Sequence, residues 1–234
     1  IYARFQSGGH TPSLGATMTD SLSLVDLLGP AARLALAYAP ARTRPLTLGL
    51  LALDQRLGDT IRSVREPVLA QIRLAWWREQ LETPGGAADR GEPLLAALAP
   101  WGEQRAALAR LTEGWEEMIG EAPLDPAALA ACAAARAAPW AVLAQLLGHD
   151  PHEALRAGQG WALADLAPRL SHPDERAAVL DLAAAHDWRR PRLPRDLRPL
   201  LVLHGLARRS RGQEPLLDGG GSMVAALRLG LLGR

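Results

Sequence analysis

Leucine and its apolar neighbours recur at steps of three and four along Leu46, Leu50, Leu53, Leu57, Ile61 and Val64. Since an α-helix turns by about 100° per residue, that spacing puts all six on one buried stripe. Pro45 can open such a helix, because its fixed φ suits the first turn and its missing N–H is not needed there. Pro67 cannot sit in a helix interior without losing a backbone bond, so the pattern predicts one helix ending near Val64 and a second starting at Pro67. On the second helix Leu69, Ile72 and Trp76 share one face, while Arg73, Trp77 and Gln80 share a neighbouring one. Thr43 to Glu82 is thus read as a helix pair around which the other helices pack, with Trp76 and Trp77 either in the core or lining a ligand cavity.

Similar periodicity fills most of the remaining chain. Two short helical segments lie between Thr19 and Ala39, separated by Gly29-Pro30, with Thr19 or Asp20 as N-cap. The loop Thr83-Pro84-Gly85-Gly86 is the best candidate for local disorder. Beyond it the spacing predicts helices over Glu92–Ala99, Glu103–Ile119, Pro126–Leu147, Pro151–Leu166 and Pro173–Ala185. Asp125-Pro126, Asp150-Pro151 and His172-Pro173 mark three of the starts, and Pro139 should kink the Ala-rich helix. Trp188 to Arg198 reads as irregular. Two more helices follow near Leu197–Arg209 and Met223–Leu232, separated by Asp218-Gly219-Gly220-Gly221.

Composition narrows this to an all-α fold, a single-domain helical bundle over residues 18–234. Ala and Leu dominate, Phe5 is the only Phe, and the tyrosines are Tyr2 and Tyr38, so strand-formers are scarce. Residues 1–17 are set apart as a tag remnant or unstructured extension, Phe5-Gln6-Ser7 resembling what a cleavable purification tag leaves behind. A formal net charge of +1 argues against a dedicated nucleic-acid binder. No lysine occurs, so apart from His every cation is Arg, which reflects genome base composition or suits bidentate phosphate contacts. Cys132 is the single cysteine, which rules out an internal disulfide and makes a reducing, cytoplasmic setting the default. No apolar run reaches the ~18 residues of a spanning helix.

Candidate chemistry is sparse. Asp54 and Asp59 are five residues apart and so do not share a helix face, and Arg62 lies one turn beyond Asp59 as an ion-pair partner. Glu113, Glu116 and Glu117 do share a face and could hold a divalent cation, or form a solvated face beside Arg105 and Arg110. His149, His152, His172, His186 and His204 are scattered, and one cysteine cannot build a thiolate-rich zinc site. Neither a G-x-S-x-G elbow nor a Gly-rich phosphate loop is present.

Residues 42–82 carry a resemblance. The order of Arg42 and Arg44 in a turn, a Leu-rich helix, and then Glu66-Pro67 followed by Arg73, Trp76, Trp77 and Arg78 resembles the squalene/phytoene synthase superfamily. Within it, the segment is most similar to a divergent branch that includes mitochondrial complex I assembly factors. Weaker likenesses extend over Ala130–Gly148 and Gly158–Arg169. The resemblance implies a helical bundle of the isoprenoid (trans-prenyl) synthase type around a central cavity. It also implies two Asp-rich helical motifs that hold Mg²⁺ against prenyl diphosphates, because ionising a diphosphate requires neutralising the leaving group. Set on that pattern, the first motif's outer aspartates fall on Gly58 and Arg62, and only the inner Asp59 is kept. The second motif falls on Asp165, Pro168 and Arg169, with Asp174 and Glu175 out of register, and the chain contains no Asn at all.

Two functional expectations result. One is a protein of this fold without Mg²⁺-dependent prenyl transfer, an assembly-factor-like pseudoenzyme with no metal site. It would bind a protein partner or an isoprenoid or lipid-like ligand through Arg42, Arg44, Arg73, Trp76 and Trp77. The other is an active isoprenoid-diphosphate transferase that uses Asp54, Asp59 and Mg²⁺, or arginines in place of metal. A third, independent expectation is a peripheral membrane contact, in which the Arg-rich Trp188–Arg211 region meets anionic lipid.

Overall fold

A computed structural model of the chain describes residues 24–63, 66–83, 85 and 91–233. Every regular element among the described residues is helical, and no strand occurs. In chain order the α-helices are α1 (Pro30–Ala37), α2 (Arg44–Ser63), α3 (Pro67–Glu82), α4 (Pro93–Ala97), α5 (Ala109–Glu116), α6 (Pro126–Leu146), α7 (Pro151–Leu166), α8 (Pro173–Ala185), α9 (Arg198–Ser210) and α10 (Gly219–Leu232). Residues 24–27 are also helical, while Thr19 and Asp20, proposed above as caps, lie outside the described residues, as do Pro84 and Gly86 of the Thr83–Gly86 loop.

Proline starts most of these helices for the reason given above. Asp125, Asp150 and His172 cap α6, α7 and α8 by accepting a hydrogen bond from the backbone N–H two residues on, and Glu92 does the same for α4. The stripe on α2 is buried at Leu46, Leu50, Leu53 and Leu57, with Ile61 packed partly against the core. Helix α6 runs through Pro139 as one element.

Three expectations are corrected. The Glu103–Ile119 segment is not one α-helix: a 3₁₀ stretch covers Ala99–Leu108, interrupted at Gly102, whose φ of +53° suits a residue without Cβ, and α5 begins only at Ala109. Gly219, Gly220 and Gly221 do not separate helices but form the first turn of α10. The face of α3 that carries Leu69, Ile72 and Trp76 is exposed, together with Val68, so Trp76 is not a core residue. The buried side of α3 is instead Ala70, Leu74, Trp77 and Leu81, again at steps of three and four.

Helix α6 is the thin centre of the bundle. Its alanines let α5 and α7 approach closely, and glycines on those neighbours complete the fit. A Cβ added to Gly114 of α5 would lie 2.3 Å from the Cβ of Ala135, and one added to Gly158 of α7 would lie 3.1 Å from the Cα of Ala137. Helix–helix distance is therefore set by residues without bulk. Gly114→Ala should destabilise the fold by about 1–3 kcal/mol through overpacking. Ala135→Gly in the same chain should recover part of that loss in urea unfolding, which tests the contact and not merely the substitution.

Candidate functional site

The only charged residue within α6 is Arg136, and its side chain is buried at 1% exposure. An unpaired guanidinium cannot be held in such a place, so its partners define the centre of the molecule. Asp54 on α2 takes it in a fork: Nε donates to Asp54 Oδ1 at 2.9 Å and Nη2 donates to Oδ2 at 2.8 Å. Asp165 on α7 accepts from Nη2 at 2.7 Å, and the Ala162 carbonyl accepts from Nη1 at 3.3 Å. Indole rings flank the cation, with the guanidinium carbon 5.0 Å from the ring centre of Trp115 and 4.8 Å from that of Trp161.

The surrounding residues fix this arrangement. Trp115 Nε1 donates to Asp54 Oδ1 at 3.1 Å, so the same indole that covers the cation also orients its carboxylate. Gly58, one turn after Asp54, makes room for that ring: a Cβ there would lie 3.0 Å from Trp115 Cζ2 and Cη2. Arg169 closes the other side by donating from Nη2 to Asp165 Oδ1 at 2.9 Å and from Nε to the Asp165 carbonyl at 3.1 Å. The unit is thus two carboxylates and two guanidinium groups. Burial opposes charge on both Asp165 and Arg136, but their attraction outweighs it. With Arg169 also nearby, the Asp165 carboxyl is held below the usual carboxylate range, and Arg136, drawn by Asp54 and Asp165, is raised above the usual arginine value.

Beside this unit opens a cleft of about 270 Å³, with Asp54, Asp165, Arg169, Trp161, Leu51 and Leu203 in its wall. A larger groove of about 870 Å³ lies elsewhere, at His149, Glu153 and Arg189 to Pro194. Two acids line it, and both are engaged: Asp150 accepts the His152 N–H as the cap of α7, and Glu153 meets arginines. Burial opposes ionisation of Glu153, but Arg156, Arg189 and the Arg192 N–H outweigh it and hold the carboxyl down at about 2.

The residues singled out from sequence do not gather at the centre. Asp54 reaches it, whereas Asp59 is exposed and paired with Arg62 and Gln55. The ion pair expected of Asp59 with Arg62 is thus present, while Asp54 is the α2 acid that Arg136 links to Asp165. Arg73, Trp76 and Trp77 come together in an open cleft of about 380 Å³ with Arg56, Ile72 and Glu92, the two indoles meeting edge to face at 5.1 Å. Arg42 instead pairs with Asp196, which also receives His149, and Arg44 donates to the Leu36 carbonyl at 2.7 Å. Of the clustered acids, Glu116 pairs with Arg78; partial burial raises its carboxyl above the usual range, opposed by Arg78, while Glu113 and Glu117 add to the rise. Burial pushes the Cys132 thiol up to about 12, which leaves it unreactive.

Among the described residues, no three His, Cys, Asp or Glu side chains converge where a metal ion could sit. Both Asp54 oxygens and Asp165 Oδ2 accept from Arg136, and Asp165 Oδ1 accepts from Arg169, so the residues at the centre do not fit a Mg²⁺ cluster, which needs several oxygens around the ion. Comparisons of the chain with protein-family models, with curated proteins and with solved structures returned no match.

Sequence reasoning missed Arg136, although its signal was present: one charge in a helix of 21 residues that is otherwise uncharged. Arg136→Met should cost about 3–5 kcal/mol at neutral pH, because it leaves the buried Asp54 without its cation and Asp165 with Arg169 alone. The native Asp165 contribution is present above the unfolded carboxyl value of about 4 and is lost as pH falls through the depressed folded value. Without Arg136 the Asp165 carboxyl is held down less firmly, so the variant's deficit relative to the parent should narrow as pH falls from 7 towards about 4. Urea unfolding across that range checks both statements.

Proposed function

We propose that this chain is a binding protein of the squalene/phytoene synthase type that does not carry out metal-dependent prenyl transfer. The observation that carries the reading is Arg136, whose guanidinium lies between the carboxylates of two facing helices. On the resemblance, those helices are where acidic side chains would hold Mg²⁺. In this chain a fixed internal cation neutralises Asp54 and Asp165, and both are committed to stabilising the bundle. Gly58 and Arg169 stand one turn after each acid: the first is taken up by Trp115 and the second by Asp165 itself.

Binding surfaces, by contrast, are available. The cleft at the centre is small for enclosing a sizeable ligand, since such sites commonly run to about 300–1,000 Å³. The exposed row Val68, Leu69, Ile72 and Trp76 on α3, next to the cleft holding Arg73 and Trp77, has the aromatic and apolar character of a protein contact. A protein partner is therefore preferred to an engulfed isoprenoid, and an assembly-factor-like role suits both features.

The test is turnover. Purified protein given farnesyl or geranylgeranyl diphosphate with Mg²⁺ should release no pyrophosphate above a protein-free control. Mg²⁺-dependent release that disappears in Asp54→Asn would overturn the reading and restore the transferase.

A further inference from the structure

Charge is divided unevenly along this chain. Residues 188–234 hold ten of its 26 arginines and only three of its 25 acids, so a protein of formal charge +1 carries a basic C-terminal fifth on an otherwise acidic body. Folding concentrates this segment further. Helices α9 and α10 pack as a hairpin with no acid in either, and Glu214 and Asp218 lie in the connection between them. Close approach of the pair depends on Gly205, where an added Cβ would fall 2.0 Å from Leu229 Cδ1. On the other side of α10, a Cβ at Gly230 would fall 2.3 Å from the Tyr38 ring, so α10 is also seated against the end of α1.

Helix α10 is apolar on both faces, yet only one is covered. Ala226 is buried and Leu229 is packed against the core, while Met223, Val224, Leu227, Leu231 and Leu232 are exposed, the last two at 71% and 62%. The exposed set repeats at three and four residues and forms one continuous outward stripe. Arginines stand around it. Arg190, Arg208, Arg209 and Arg228 line a cleft of about 220 Å³ between α9 and α10, and Arg209 lies over the first turn of α10, its Nη2 3.0 Å from where a Gly221 Cβ would be. Arg208 and Arg209 form no ion pair with a described residue, unlike Arg42, Arg62, Arg78, Arg136 and Arg169 in the body of the protein. His204, 1% exposed, lines the same cleft; its Nδ1 faces the Ala157 carbonyl at 3.3 Å and its buried Nε2 has no partner.

We propose that the α9–α10 hairpin docks on an anionic lipid bilayer, with the outward stripe of α10 among the acyl chains and the arginine cluster on headgroup phosphates. Each half of the surface fits that occupant. An apolar stripe beside cations, with no acid on either helix, is the composition of a helix lying in the membrane interface. An apolar protein patch over the stripe would offer Arg208 and Arg209 no anion, whereas lipid phosphates lie beside the acyl region. Fourteen residues rise only about 21 Å against about 30 Å of hydrocarbon, so α10 lies on the bilayer and does not cross it. The inference is independent of the central Arg136 unit.

Co-sedimentation of the full chain with vesicles tests it. Vesicles of equimolar phosphatidylcholine and phosphatidylglycerol should pellet the protein at about 0.1 M NaCl and release most of it at about 0.5 M, whereas pure phosphatidylcholine should bind it weakly. Arg208→Gln with Arg209→Gln should weaken binding to the mixed vesicles by about fivefold per arginine. Leu227→Gln with Leu231→Gln should abolish binding even at low salt. All four residues lie on the surface or at the cleft edge, so circular dichroism and the unfolding midpoint should match the parent. Equal binding to both vesicle types, or unchanged binding by either variant, would overturn the proposal. So would a dimer of the parent in light scattering that the leucine variant dissociates, because the stripe would then be covered by a second copy.

Discussion

A guanidinium in the middle of an Ala- and Leu-rich bundle can persist only if carboxylates arrive from more than one direction, and much of the interior follows from that requirement. Arg136 projects from the thinnest helix, α6, and must reach α2 and α7 at once. Such reach is possible because Gly114 and Gly158 let α5 and α7 lie close to the alanines of α6. Trp115 and Trp161 then fill the volume on either face of the cation and exclude water from it. Small residues at the helix contacts and large ones around the ion are thus parts of one solution. The cost of burying charge is met by several donors and acceptors, not by a single pair.

This interaction also constrains function. Carboxylates that hold a metal for catalysis need oxygen atoms free to face the ion, and they tolerate its departure with product. Asp54 and Asp165 have no such freedom, since removing their cation would threaten the fold. Stability and metal binding would compete for the same four oxygen atoms, and in the structure each of the four accepts from Arg136 or Arg169.

How much could be read in advance follows from which signals are local. Prolines with Asp or His before them located the starts of α6, α7 and α8 because capping is decided within three residues. The α2 stripe was readable because one face is buried along nearly its whole length. Faces were harder on α3, where Trp and Leu occur on both sides: periodicity identified each face but not which was covered, a matter settled by elements distant in sequence, the Ala99–Leu108 3₁₀ stretch and α5. The glycines at 219–221 misled for a related reason. Their low helix propensity is overridden when the rest of α10 is anchored by Gly205 and Gly230. At the centre, Asp54 was visible as a candidate, but its partners Trp115 and Arg136 lie 61 and 82 positions away, and nothing local to Arg136 says which carboxylates it meets.

The two charge arrangements of the molecule obey opposite logics. Inside, every guanidinium brought near the centre is matched by a carboxylate, because low polarity makes an unmatched charge intolerable. Around α9 and α10, arginines stand beside exposed leucines with few acids near them, and water alone would make that pairing costly on the apolar side without rewarding the basic one. The bilayer docking proposed above would give both halves of that surface a matching environment, apolar in depth and anionic at its face. The same residue type therefore serves two physical ends in this chain, closing the interior at Arg136 and facing outward at Arg208 and Arg209, and the presence or absence of neighbouring acids decides between them.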